Sequence, residues 1–153
     1  MKRLILSMAC AAIISTSAIA QKVAEANVPP AVLTKFSSTF SASEPVSWEM
    51  DYDNYVAKFK NNKVQIEVTY NKDGNWIKTE TPISHSALPA SVKSCLTRQF
   101  DIYNENDIEK VDSPQGTTYS IDVECKQLNY EVVISDQGDL VSKDEVKEYK
   151  RDE

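Results

Sequence analysis

The chain repeats itself. Val28-Pro29 recurs as Leu88-Pro89, and at the same offset of 60 residues Val32, Phe36 and Phe40 correspond to Val92, Leu96 and Phe100. Farther along the offset becomes 64. Tyr55-x-Ala57-x-Phe59 matches Tyr119-x-Ile121-x-Val123, and Val64-x-Ile66-Glu67-Val68-x-Tyr70 matches Leu128-x-Tyr130-Glu131-Val132-x-Ile134. Gly74-Asn75-Trp76 matches Gly138-Asp139-Leu140 at that offset. Blocks in the same order, with apolar positions in phase, identify a duplication. The change of offset places an insertion between the helix and the second strand of the second copy.

Each copy carries the same local logic. Pro29 and Pro89 suit the first turn of a helix, where a missing N–H costs nothing. Val32, Phe36 and Phe40, like Val92, Leu96 and Phe100, are spaced i, i+4, i+8 and put one apolar stripe on a short helix. The period then switches to two: Tyr55, Ala57 and Phe59 alternate with Val56, Lys58 and Lys60, and Val64, Ile66, Val68 and Tyr70 with Gln65, Glu67 and Thr69. Strict alternation means a sheet with one buried face, hence antiparallel pairing. Asn61-Asn62 suits a tight hairpin turn, and Lys72-Asp73-Gly74-Asn75 a second, with Gly in the left-handed position. The pattern predicts a helix over 29–41 with strands over 46–50, 55–61, 63–71 and 75–81, then a helix over 89–101 with strands over 107–112, 117–125, 127–135 and 139–143.

The expected fold is therefore α+β: two tandem units, each a helix plus a four-stranded antiparallel sheet, with the helices on one face. A unit of roughly 60 residues buries only about 60% of its unfolded surface and is marginal alone. The connector Ser84-His85-Ser86-Ala87 is short, so the units are expected to join as one domain. Boundaries follow at 1–20 for a leader, 21–84 and 85–146 for the units, and 147–153 for a charged tail. From Ser142 to Glu153 Lys alternates with Asp and Glu, and this stretch is expected to be frayed and structurally idle.

The leader reads as an export signal. Met1-Lys2-Arg3 is basic, Leu4 to Ile14 is apolar but for Ser7, and Ala18-Ile19-Ala20 puts small side chains at −3 and −1 of a cut between Ala20 and Gln21. The run is short and rich in Ser and Thr for a membrane span, which needs about 20 apolar residues. A lipid anchor at Cys10 is disfavoured by Ser7 and by the short apolar run before it. The expected location is the periplasm or outside the cell, with no membrane insertion after cleavage. Removing Lys2 and Arg3 leaves 15 basic residues against 23 acidic ones, a net charge of −8. Such a chain repels phosphate backbones, which argues against a nucleic-acid partner.

The same residues resemble the PepSY-like family of exported bacterial proteins, which are similar to the β-lactamase-inhibitor-protein fold. The resemblance rests on Val28-Pro29-x-x-Val32-x-x-x-Phe36-x-x-x-Phe40, Val46-x-Trp48-Glu49, Val64-Gln65-Ile66-Glu67-Val68 and Asp73-Gly74-Asn75-Trp76, repeated from Leu88-Pro89 to Leu140. The second copy departs from it, with Val111-Asp112 nearest to Trp48-Glu49. The resemblance implies a non-enzymatic protein without cofactor, and protein binding through the face of the sheet.

The chemistry-bearing residues support no catalytic or metal site. His85, the sole histidine, lies in the Ser-rich connector and reads as a solvated side chain. Asp51-Tyr52-Asp53-Asn54 and Asn71-Lys72-Asp73-Gly74-Asn75 lack the Gly and Glu spacing of a calcium loop and fit turns. Cys95 and Cys125 are an even pair in an oxidising compartment: either a disulfide tying helix to sheet, worth roughly 3 kcal/mol, or two buried thiols. Trp48, Tyr52 and Trp76 are core aromatics or, if exposed, interface anchors. The outward strand positions are mixed in the first copy (Lys58, Lys60, Gln65, Glu67, Thr69) and more acidic in the second (Ser120, Asp122, Glu124, Asn129, Glu131). They form a solvated face or, if functional, a surface for a cationic peptide or protein. The expected function is a protein-binding or inhibitor-like module acting on an unknown exported partner. The alternative is a small-ligand binder with a pocket between helices and sheet.

Overall fold

A computed structural model describes residues 21–40 and 45–146; the leader assigned to 1–20 and the tail assigned to 147–153 lie outside the described residues. The strands are β1 (Gln21–Val23), β2 (Ser47–Asp51), β3 (Asn54–Asn61), β4 (Val64–Asn71), β5 (Trp76–Pro82), β6 (Asn104–Ser113), β7 (Gly116–Cys125), β8 (Leu128–Ser135) and β9 (Leu140–Val146). Two ten-residue helices, α1 (Pro30–Thr39) and α2 (Ala90–Gln99), each follow a single 3-10 turn, at Glu25–Asn27 and His85–Ala87. Among the described residues, no helix is long and apolar enough to cross a membrane.

The expected architecture of two tandem helix-plus-four-strand units is overturned. The described residues build one nine-stranded antiparallel sheet, with strand order β1 to β9 and two short helices beside it. The ladder does not stop between the expected units: Thr79, Glu80, Thr81 and Pro82 pair with Asp112, Val111, Lys110 and Glu109. The physical reason is the one that makes small units marginal. An edge strand offers unpaired N–H and C=O groups, and β5 and β6 satisfy each other's. β1 adds a ninth strand, pairing Val23 with Trp48 and Gln21 with Met50. Three residues give too little alternation to read from sequence.

Local chemistry explains the element ends. Pro29 and Pro89 stand just before the helices with φ of −55° and −58°, and their carbonyls accept the first helical N–H groups, Leu33 and Lys93. Phe40 and Phe100 leave the helices in extended conformation while their N–H groups still bond Phe36 O and Leu96 O. The β3–β4 turn falls on Asn62-Lys63 rather than Asn61-Asn62, since Asn61 pairs with Val64, and both turn residues take positive φ, 50° and 68°. Lys126-Gln127 repeats this at β7–β8 with φ of 51° and 65°. Gly74 (φ 81°) and Gly138 (φ 87°) abut the first helical turns: an added Cβ would lie 2.7 Å from Ala31 O and 2.7 Å from Ser91 O.

Alternation gives the sheet an inner, apolar face and an outer one. On the inner side one cluster joins Val28, Val32 and Phe36 to Trp48, Ala57, Phe59, Val68 and Tyr70. The other joins Val92, Cys95, Leu96 and Phe100 to Ile108, Ile121, Val123, Val132 and Ile134. A polar seam separates them, because the register places Thr79, Asp112 and Thr117 side by side on the inner face. Asp112 is held there by Thr117 Oγ1 at 2.6 Å and Lys110 Nζ at 2.8 Å.

Two sequence-based expectations shift. Trp48 lies opposite Ala57 and Ile108 opposite Ile121, so the counterpart of Trp48-Glu49 is Ile108-Glu109, not Val111-Asp112. The insertion is taken up in a longer β6–β7 hairpin, and the glutamate is retained. The stretch from Ser142 is not idle as far as Val146: it is the body of β9, and Lys143 Nζ stands 4.0 Å from the Phe100 ring centroid. Charge composition hid the continuation to Val146 of the strand expected over 139–143, whose partner, β8, supplies the apolar surface.

Candidate functional site

The outer face offers the broadest surface of polar chemistry, and it divides at the β5–β6 ladder. Through β2–β5 five of its charges are paired. Lys58 Nζ bridges Glu49 Oε2 at 3.0 Å and Glu67 Oε1 at 3.1 Å, and Lys78 Nζ meets Glu80 Oε1 at 2.7 Å. Burial works against the Lys58 charge, but the hydrogen bonds and fields of Glu49 and Glu67 outweigh it and hold its pKa above the ordinary lysine value. Beneath these side chains Val56 and Thr69 are buried.

Through β6–β9 the outer positions carry acids without bases. The register sets Asp122 opposite Glu131, Glu131 opposite Asp144, and Glu109 opposite Ser120. No outer position of these strands is Lys or Arg; Lys110 and Lys143 alternate to the inner face. Asp107, Glu109, Ser120, Asp122 and Glu131 line a shallow hollow of about 370 Å³. Burial raises the pKa of Glu109, and Glu80, Glu67 and Asp107 push it further against the opposing effect of Lys78. Burial likewise raises Asp122, with Glu131 and Asp107 adding to it. Burial first, and crowded like charges second, raise both carboxyls above their ordinary values. Such a surface suits a cationic group and has no nucleophile–base geometry.

The sequence-derived residues separate accordingly. Asp122, Glu124 and Glu131 stand together on the outer face. Trp48 does not join them: at 3% exposure it is core, edge-on to Phe36 with ring centroids 5.4 Å apart. Trp76 is half-buried against the same cluster and donates its indole N–H to Thr79 Oγ1. Only Tyr52 is open to solvent, 69% exposed at the β2–β3 turn. Cys95 lies inside the second cluster and Cys125 packs against it; both are free thiols.

Sequence reasoning missed Glu109 and Asp107. The misplaced counterpart of Trp48-Glu49 hid the first, and the bulge between Glu105 and Ile108 hid the second by breaking the alternation. His85 is not simply solvated: Nδ1 lies 2.6 Å from Glu105 Oε2. No serine hydroxyl bonds its ring among the described residues, so no triad assembles. The Asn71 cluster is a turn, with Asn71 Oδ1 accepting the N–H groups of Asp73 and Asn75. Among the described residues, no group of three or more His, Cys, Asp or Glu is placed to hold a metal. The pocket expected by the small-ligand alternative corresponds to an open groove of about 550 Å³ between α1 and β2, floored by Phe36 and Trp48.

The comparisons with known proteins agree with this shape. Solved structures align over most of the chain: a BLIP-like protein from Bacteroides fragilis NCTC 9343 (TM-score 0.68, 20% identity, 80% of this chain and 89% of that one); a DUF2874 family protein from Bacteroides uniformis ATCC 8492 (TM-score 0.73, 17% identity, 80% and 92%); and a protein of Bacteroides eggerthii DSM 20697 described as "putative periplasmic" (TM-score 0.71, 20% identity, 77% and 88%). At these identities the likeness is one of fold. No curated protein matches the chain. The family model described as "Putative beta-lactamase-inhibitor-like, PepSY-like" matches residues 14–66 and 53–142. Two overlapping matches spanning most of the sequence place the chain in the PepSY-like, β-lactamase-inhibitor-like family.

Proposed function

We propose that this protein is an exported, non-catalytic binding module, inhibitor-like in mode, whose outer sheet face docks onto a protein partner. The β6–β9 part of that face receives basic side chains of the partner, and the charge-paired β2–β5 part is the more neutral remainder of the footprint. The observation that carries this reading is the crowding of Glu109 and Asp122, whose pKa values burial and neighbouring acids raise, against the ion-paired row of Glu49, Lys58 and Glu67. A cation set among the former relieves repulsion already present in the free protein, so electrostatics favour association and orient it. The family description and the broad open face support a protein partner. The leader motif and the periplasmic neighbour support the compartment.

The test uses capture from periplasmic extract with the native protein and with a Glu109→Gln/Asp122→Asn/Glu131→Gln variant of equal stability. The expected result is one stoichiometric partner whose affinity falls at least about tenfold in the variant and declines with salt. A partner held equally by both proteins, with no salt dependence, would refute the docking surface.

A further inference from the structure

We propose that Lys143 is an edge guard: its inward-turned ammonium keeps β9 from extending the sheet into a second copy of the chain. Among the described residues β9 is the last strand of the sheet, paired to β8 on one side. No described residue pairs with its far side, and Leu140, Val141 and Val146 of the strand are 40%, 53% and 47% exposed. A seven-residue strand of this kind is a template for another strand. At the other end of the sheet β1 has three residues and offers far less.

The chain contains its own control. β5 sits beside β4 as β9 sits beside β8: Val68 faces Thr79 in one ladder and Val132 faces Lys143 in the other, and both ladders carry a shift just before the tyrosine or isoleucine that follows, at Thr69/Tyr70 and Val133/Ile134. Yet β5 accepts β6 along its far side, through Thr79 to Pro82. At the matched place β5 has a small hydroxyl, occupied by the Trp76 N–H at 3.0 Å. β9 has a long cation whose Nζ lies 4.0 Å from the Phe100 centroid and 5.1 Å from that of Tyr130. An incoming strand would lay its inner-face side chains against this ammonium and strip its remaining water, and no ion pair of Lys143 among the described residues offsets that desolvation. The rings hold the lysine on the inner face of the edge strand, since a cation over an aromatic face is attracted to it.

The experiment is sedimentation equilibrium of the native protein and of Lys143→Thr, which installs the residue that β5 uses. The native protein is expected to remain monomeric across the concentration range, whereas K143T rises with concentration toward twice the monomer mass. Lys143→Arg, which keeps a cation over the rings, stays monomeric. Adding Val141→Lys to K143T places a new charge on the same edge and restores the monomer. Should K143T lose its circular dichroism signature, Lys143→Met, which keeps the apolar stem, replaces it with the same expectation. A folded K143T or K143M that stays monomeric overturns the proposal. So does a native protein that already dimerises through β9, or a K143T dimer that Val141→Lys leaves intact.

Discussion

Neutralising Glu109 and Asp122 together is expected to stabilise the free protein at neutral pH, against the general rule that substitutions destabilise. Asp122 lies directly opposite Glu131, and Glu109 feels Glu80, Glu67 and Asp107. Like charges across a strand pair cost about 0.2–1 kcal/mol each. Removing one member from each group in Glu109→Gln/Asp122→Asn should therefore yield about 0.5–2 kcal/mol. With m of roughly 1–3 kcal/mol per molar urea, that moves the unfolding midpoint upward by about 0.2–2 M. The pH dependence has a fixed sign. Both carboxyls have folded pKa values above their unfolded ones, near 4.3 for Glu and 3.9 for Asp, so the native state binds more protons in the window between. The native protein thus loses stability as pH rises through that window and carries the whole penalty at pH 7. The variant's advantage should be present at pH 7, shrink in high salt, and vanish below about pH 3.5, under both unfolded values. Urea titrations followed by circular dichroism at the two pH values and at low and high salt measure all of this. A variant less stable than the native protein at pH 7 would show that the acids are favourably paired, and the electrostatic case for the docking face would fall with it.

Other perturbations test the frame. Leu96→Ala, at a site with no exposure, should cost about 2–5 kcal/mol in thermal or urea unfolding. Gly138→Ala should be more damaging than a strained turn alone, because its Cβ would meet the Ser91 backbone 2.7 Å away; Gly116→Ala has open space and should cost less. Lys58→Met, which leaves Glu49 and Glu67 without their cation, should cost about 1 kcal/mol at pH 7. Its pKa is raised on folding, so the contribution of the native lysine is intact below about pH 10.4 and is lost as pH rises through the higher folded value; alkaline titration of the native protein and the variant should converge.

What the sequence shows well is what local periodicity governs. The i, i+4, i+8 stripes of Val32-Phe36-Phe40 and Val92-Leu96-Phe100 mark the two helices. Alternation through Tyr55–Tyr70 and Tyr119–Ile134 marks the central hairpins and sorts side chains to the correct faces, which is why Asp122, Glu124 and Glu131 were legible as a surface group. What it hides is non-local. No pattern within β5 or β6 states that Thr79 will pair with Asp112, and that pairing makes one sheet of the whole chain. Trp48 looks like an anchor until its neighbours Phe36 and Ala57 enclose it. Glu109 is lost because the longer β6–β7 hairpin displaces the counterpart of Trp48-Glu49, Asp107 because a bulge interrupts the count, and Lys143 because a cation in a charged stretch gives no sign of the rings it covers.

The correction to the fold bears directly on the proposed function. Had the chain formed separate four-stranded sheets, the acids of β6–β8 would have been electrostatically independent of β2–β5. The continuous ladder instead sets Glu80 opposite Val111, two residues from Pro82 and its partner Glu109, and brings the field of Glu67 within reach across the β4–β5 pair. Glu80 and Glu67 are the leading charged contributors to the raised pKa of Glu109, and Lys78, from the same side of the junction, opposes them. The β5–β6 seam is therefore where a surface of ion pairs passes into one of crowded acids. A partner that brings a cation to Glu109 touches both regimes at once, and the repulsion it relieves originates on strands on both sides of the seam.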